Sequence, residues 1–232
     1  MTLEEKASLM LIVEYPEVEE NSLVLPYKPL ERWLRYFIYR GKHRADVIAN
    51  LNNQLRETAE ASRFGIPAVI ISNPRNHKST VPNIEEDGQF SYWPDPLGLV
   101  AMRDYNLTKT FAKMAAKEWR VAGIHKMYGY SADVATDSLW ARIHETFGED
   151  PEVVAKMITK LVEGFQGIEL NLNSVSLTIR HFPGGGAREK GKDPHFPEGA
   201  YNVWPTEGSL LKYHISPFKA AIKAKATSIM PY

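Results

Sequence analysis

The sequence predicts an α/β protein whose strands pair in parallel and close in the manner of a TIM-type (β/α) barrel. Three observations point there. Segments with a 3.6-residue apolar stripe alternate with short, continuously apolar runs, the pattern of crossover βα units. The stretches that follow the apolar runs (73–94, 131–150 and 180–204) are long and rich in His, Arg, Asp and Trp, and barrels build their sites from such strand-end loops. No Gly-x-Gly-x-x-Gly follows any predicted strand, which removes the best signature of a doubly wound dinucleotide fold.

Taken in order, Thr2 and Glu5 form a capping box for a short first helix with Leu3, Ala7, Met10 and Leu11 at helical spacing. Residues 11–44 then carry no regular period, and Pro16, Pro26, Pro29 and an acidic cluster read as an irregular, divergent segment within a single domain of residues 1–232. A helix over 45–63 places Val47, Ile48, Leu51, Leu55 and Ala59 on one stripe before Gly65, and Pro67 to Ser72 reads as a strand buried on both faces. Thr108 to Ala122 repeats the helical stripe and Gly123 stops it. Asp150-Pro151 supplies an N-cap and an N1 proline for a helix that Gly164 and Gly167 close, and 174–179 is the next strand. Ser216-Pro217 opens a last helix to Ala224, followed by a strand over 226–230.

Composition narrows the functions. The chain has 28 Lys+Arg against 28 Asp+Glu, so no basic excess is available to hold a phosphate backbone or anionic lipid, and no nucleic-acid partner is expected. The absence of cysteine removes thiol nucleophiles, disulfides and thiolate metal sites. No run approaches the roughly 18 apolar residues of a membrane span, and the acidic Met1–Lys6 start does not read as a signal peptide. The expectation is a soluble chain whose compartment stays open. Its 232 residues fall short of the about 250 of a typical barrel.

Four groups of residues carry chemistry. Asn73-Pro74-Arg75-Asn76-His77 follows a strand, where a functional cluster and a plain turn are equally consistent with the composition. Arg142 lies in a loop with His144 and Glu145, where its planar fork suits adjacent hydroxyls; the alternative is an Arg–Glu pair that pins the loop, with Glu149 and Asp150 only capping the next helix. Arg180-His181 ends a strand and precedes Gly184-Gly185-Gly186, but no Lys-Ser/Thr follows, so a nucleotide cradle is not expected. Asp193 and His195 form a candidate carboxylate-oriented imidazole, and their spacing with His181 matches no metal site. Trp93, Trp140 and Trp204 lie in or beside loops, where an exposed indole can stack on a sugar ring.

Several stretches taken together resemble glycoside hydrolase family 3, in its N-terminal barrel domain: Leu3–Ala7, Trp93-Pro94-Asp95-Pro96-Leu97-Gly98-Leu99, Arg142 to Pro151, Gly164-Phe165-Gln166-Gly167, Arg180 to Gly186, and Ser228-Ile229-Met230-Pro231-Tyr232. The resemblance runs from about residue 45, and residues 11–44 fall outside it. It implies exo-acting, retaining hydrolysis of β-glucosides, with the non-reducing terminal sugar held by Asn73, Arg142, Arg180 and His181 beside Trp140, and it calls for no cofactor. Two positions depart from the family. Asn73 stands for an Asp and so lacks the charge that strengthens hydrogen bonds from sugar hydroxyls, and Arg180 stands for a Lys, whose ammonium places its donors differently. The family's nucleophilic Asp lies on the strand after Ser-Ile-Met-Pro-Tyr, so the resemblance implies a barrel of about six βα units lacking the last two. The partners it implies are a β-glucoside or oligosaccharide and the missing barrel segment or second domain, in cis or in trans; oligomerisation is open. The N-acetylglucosaminidase branch takes its acid/base from an Asp–His pair after this loop, a role for which Asp193 and His195 are the minority candidates. A non-catalytic sugar-binding or scaffold fragment is the alternative from another class.

Overall fold

The computed structural model describes residues 1–25, 32–41, 43–73, 90–204 and 206–232. Its centre is a six-stranded parallel sheet formed by β1 (Ile12–Glu14), β4 (Tyr36–Ile38), β5 (Val69–Ser72), β6 (Lys126–Met127), β7 (Ser176–Phe182) and β8 (Ser228–Pro231), paired in that order. A separate antiparallel hairpin pairs β2 (Val18–Glu19) with β3 (Ser22–Leu23). The helices are α1 (Leu3–Ser8), α2 (Ala45–Glu60), α3 (Pro96–Ala101), α4 (Tyr105–Val121), α5 (Pro151–Phe165) and α6 (Ile215–Lys223). Sequence neighbours in the sheet are neighbours in space, each pair from β4 onward joined by a helical crossover, so the sheet curls as an incomplete TIM-type barrel.

Among the described residues of the 11–44 segment the structure has regular elements where the sequence shows no period. The segment holds two strands of the sheet, in register Ile12↔Tyr36 and Glu14↔Ile38, and the hairpin turns through Glu20 and Asn21, both at positive φ as a two-residue hairpin turn requires. Each strand is three residues long, too short to show an alternation. Phe37 is fully buried against the helices while Ile12 stays exposed at the sheet's end, so neighbours rather than local pattern decide the pairing. Asn52 of α2 anchors this part. It is fully buried, accepts from the Tyr15 hydroxyl at 2.7 Å and donates to the Ala122 carbonyl at 2.7 Å, so both ends of its amide are partnered.

The helices form where caps and stripes meet. Thr2 and Glu5 make the reciprocal capping box, and Asp104 and Asp150 accept from the first free N–H groups of α4 and α5. Glu149 and Asp150 thus mark a helix start, with Asp150 as the cap. Gly164 does not close α5, as its sequence position suggests. A Cβ there would lie 2.3 Å from Ala112 Cβ and 2.8 Å from the Lys109 carbonyl, so the glycine lets α5 lie against α4, and Gly167 at φ +77° ends the helix instead. Gln166, between them, fastens that end to the sheet: its Oε1 accepts from Leu177 N and Thr227 N, and its Nε2 donates to the Lys225 carbonyl at 2.8 Å. Inside the curl, Lys126 Nζ donates to Ser228 Oγ at 2.7 Å, and Ser228 meets Thr178 at 2.8 Å, joining three strands by side chains. No helix among the described residues is long and apolar enough to cross a membrane.

Candidate functional site

Four strands release chain at the same end of the sheet: Asn73 after β5, residues 128–150 after β6, residues 180–204 from β7, and Tyr232 after β8. The best-determined group there is Asp133. It is fully buried and accepts from Ser131 Oγ, from His181 Nδ1 at 2.7 Å, and from the backbone N–H groups of His181 and Gly185. Burial pushes its carboxyl up, but those donors outweigh burial and hold it below the usual carboxylate range. For His181 burial wins. It pulls the imidazole below its ordinary value against the attraction of Asp133, so the ring is neutral, Nδ1–H donates to Asp133, and Nε2 keeps a free lone pair.

The three glycines serve this knot. A Cβ on Gly186 would lie 1.9 Å from the Val134 carbonyl oxygen, and one on Gly185 would meet Trp140, Asp133 and Tyr232 at 3.2–3.3 Å. Protein atoms fill the space around them, which agrees with the sequence argument against a phosphate cradle. The Arg180–His181 and Phe182–Pro183 peptide bonds are cis.

Arg142 stands on the other side of Tyr232. Its Nε and Nη2 donate to the two Glu145 oxygens at 3.0 and 2.7 Å, and its Nη1 donates to the Tyr232 hydroxyl at 2.8 Å. The Arg–Glu pair offered as the alternative for Arg142 is therefore present, and the third nitrogen of the same side chain points at Tyr232. Burial lowers the Arg142 pKa, but Glu145 overrides it and raises the guanidinium above its normal value. Glu145 is shared. Arg180 Nη2 lies 3.5 Å from its Oε2, and the Arg180 guanidinium sits over the Tyr128 ring at 4.8 Å. Burial would raise the Glu145 carboxyl, and the two arginines keep it below the ordinary range. The Tyr232 ring lies 4.2 Å from the His181 ring and carries the Arg188 guanidinium on its face at 4.8 Å.

The structure thus brings Arg142 and His181 onto Tyr232, with Arg180 joined through Glu145 and Trp140 beside Gly185. Trp140 is 2% exposed, so it is wall rather than the free stacking face that its loop position suggested; a bulky indole next to Gly185 is packed away by the glycine loop. Trp93 packs on Phe111 at 5.2 Å between ring centres. Asn73 is half-buried, and its Oδ1 accepts no hydrogen bond among the described residues. Pro74, Arg75, Asn76 and His77 lie outside those residues. Asp193 and His195 pair at the rim, Nδ1 to Oδ1 2.5 Å, with the His195 ring 6.0 Å from Tyr232 and its side chain 66% exposed. Among the described residues no three metal-ligating side chains cluster.

Sequence reasoning offered the pairing of Glu145 with Arg142 but not its sharing with Arg180, and it missed Tyr128, Arg188 and the place of Tyr232. For Tyr232 a signal existed, because it follows an apolar strand as Arg180 does. For Arg188 none did: its donors go to the Gly199 and Ala200 carbonyls, partners visible only in the fold.

Comparison with known proteins gives the family and the fold. The family profile described as "Glycosyl hydrolase family 3 N terminal domain" matches residues 38–232. The chain is 39% identical over 191 residues to "Probable beta-glucosidase C" of Aspergillus flavus, covering 81% of this chain and 30% of that protein. It is 38% identical over 206 residues to "Periplasmic beta-glucosidase/beta-xylosidase" of Dickeya chrysanthemi, covering 87% of this chain and 31% of that one. Among solved structures, a β-glucosidase from Listeria innocua in complex with isofagomine superposes with a TM-score of 0.74 at 24% identity, over 100% of this chain and 30% of that one. A β-N-acetylglucosaminidase from Paenibacillus gives 0.79 at 23%, over 100% and 42%. These two likenesses concern the fold. The chain therefore spans under a third of the length of the two sequence relatives.

Proposed function

The chain belongs to glycosyl hydrolase family 3, as its N-terminal domain, and on that premise we propose that the cluster around Tyr232 holds the non-reducing terminal sugar of a β-glucoside or β-xyloside. One observation carries the reading: side chains from three separate strand ends meet within hydrogen-bond and ring-contact distance, Arg142 on Tyr232 at 2.8 Å and Tyr232 on His181 at 4.2 Å. Glu145 fixes the Arg142 guanidinium so that its remaining N–H groups can donate to sugar hydroxyl oxygens without moving, and neutral His181 offers Nε2 as an acceptor for a hydroxyl proton. Asn73 Oδ1 supplies a second acceptor, a neutral one.

The bond-breaking carboxylates are a different matter. Retaining hydrolysis uses two carboxyl groups about 5–5.5 Å apart across the glycosidic bond. Asp133 is walled in by four donors and Glu145 is committed to two guanidinium groups, so neither is free to attack an anomeric carbon or pass it a proton. In our reading the nucleophile and the acid come from polypeptide outside these 232 residues, and this chain grips and orients the sugar. Titration with glucose and xylose tests the grip. Saturable binding that Arg142→Ala weakens by roughly tenfold is expected, as for one charge-assisted contact. Fusion to a segment adding two further βα units of a family relative should then yield hydrolysis of an aryl β-glucoside. Binding with no gain of hydrolysis on fusion would favour a sugar-binding module, and neither would favour a scaffold.

A second reading has its own observation. The Asp193–His195 pair is bonded at the rim of the same cluster, the arrangement of an imidazole acid/base oriented by a carboxylate. Under it the fused protein prefers an aryl β-N-acetylglucosaminide and loses that activity in His195→Ala. Equal glucosidase activity with and without His195 would discard this reading.

A further inference from the structure

A groove of about 670 Å³ lies between α4 and α5. Crossover helices run antiparallel to their strands, so the ends of α4 and α5 that border it lie opposite the Tyr232 cluster. Along α4 the basic residues Lys109, Lys113, Lys117 and Arg120 form one stripe at helical spacing. Lys109, outside the groove, is neutralised by Glu163 at 2.8 Å. Within the groove the pattern changes: Lys113, Lys117 and Arg120 have no carboxylate partner among the described residues. Arg56 from α2 adds a further charge near Arg120. Burial and then Arg56 lower the Arg120 pKa, and the same two arginines help burial pull His125 down to about 4. A chain with zero formal net charge has here a local cluster of cations without carboxylate partners among the described residues.

The rest of the lining says what kind of anion fits. Asn171 and Asn173 bring amides, while Val121 (73% exposed) and Leu172 (87% exposed) add a small apolar surface. The walls are helix sides and a turn, with no open strand edge for an extended peptide to join and no long apolar stripe for an amphipathic helix. We propose that this groove binds an acidic polysaccharide chain, its uronate carboxylates on Lys113, Lys117 and Arg120, its hydroxyls on the asparagines, and its C–H faces on Val121 and Leu172. The site would anchor the protein on charged carbohydrate independently of the sugar held at the other end.

Calorimetric titration of the chain with oligogalacturonate, cello-oligosaccharide and poly-glutamate tests this. Saturable binding of oligogalacturonate is expected, with none of the neutral oligomer and much weaker binding of poly-glutamate. The double substitution Lys113→Gln with Lys117→Gln removes two exposed charges and should weaken oligogalacturonate binding by roughly tenfold or more, with unchanged circular dichroism. Arg142→Ala should leave it unchanged. No binding, or undiminished affinity in the double variant, overturns the proposal. Equal affinity for poly-glutamate transfers the groove to an acidic protein partner, and loss in Arg142→Ala places the ligand in the Tyr232 cluster; either result also overturns it.

Discussion

Asp133 and Glu145 are carboxylates in the same strand-end loop, twelve positions apart, and they hold opposite halves of the cluster. Asp133 is sealed: its four donors include two backbone N–H groups and it sees no solvent. Glu145 is a bridge, its partners both arginine side chains and its own side chain 31% exposed. The difference separates what builds the site from what the site uses. A carboxylate tied to backbone fixes where β7 and its glycine loop run, whereas one tied to guanidinium groups fixes only where their remaining donors point.

The substitutions that sharpen this contrast span a wide range. Asp133→Ala strands His181, Ser131 and two amides in a dry interior and should cost about 3–5 kcal/mol, seen as a large drop in urea midpoint or loss of folded protein. Glu145→Gln should change stability by under about 1 kcal/mol, since the pair is partly solvated, yet weaken glucose binding by roughly tenfold as both forks lose alignment. If the two variants proved equally unstable, the distinction between them would be lost. Asn73→Asp acts in the other direction. A charged acceptor replaces a neutral one whose oxygen has no partner among the described residues, and sugar affinity should rise several-fold in the same titration.

The smallest effect is the pH dependence. His181, His214 and His125 all have lowered pKa values through burial, His125 to about 4. A histidine buried neutral contributes stability that is complete above its unfolded value near 6.5 and is lost as pH falls toward the folded one. The urea midpoint should hold from pH 8 to 7 and decline between about 6.5 and 4. His125→Gln should flatten part of that decline without touching sugar binding, because His125 lies at the start of β6, away from the cluster.

What could be read in advance follows the physics of each element. α2, α4 and α5 were legible because sixteen, seventeen and fifteen residues are long enough to display a stripe and its caps. β1 and β4, at three residues each, and β6, at two, carry no period, and their pairing depends on chain far away. In the cluster, Arg142, Arg180 and His181 were visible as polar residues at strand ends. Trp140 misled because a loop position says nothing of what packs over it. The sharing of Glu145 between Arg142 and Arg180, thirty-eight positions apart, exists only once β6 and β7 lie side by side.

The most direct test is a side-chain-resolved NMR titration of the 232-residue chain with glucose. The expected result is saturable shifts at Arg142, Arg180, His181 and Tyr232, with the midpoint at the last three moved to roughly tenfold higher glucose in Arg142→Ala, and with Lys113 and Lys117 silent. Resonances at those four positions that stay unmoved at saturating sugar, or an unchanged midpoint in Arg142→Ala, would contradict it.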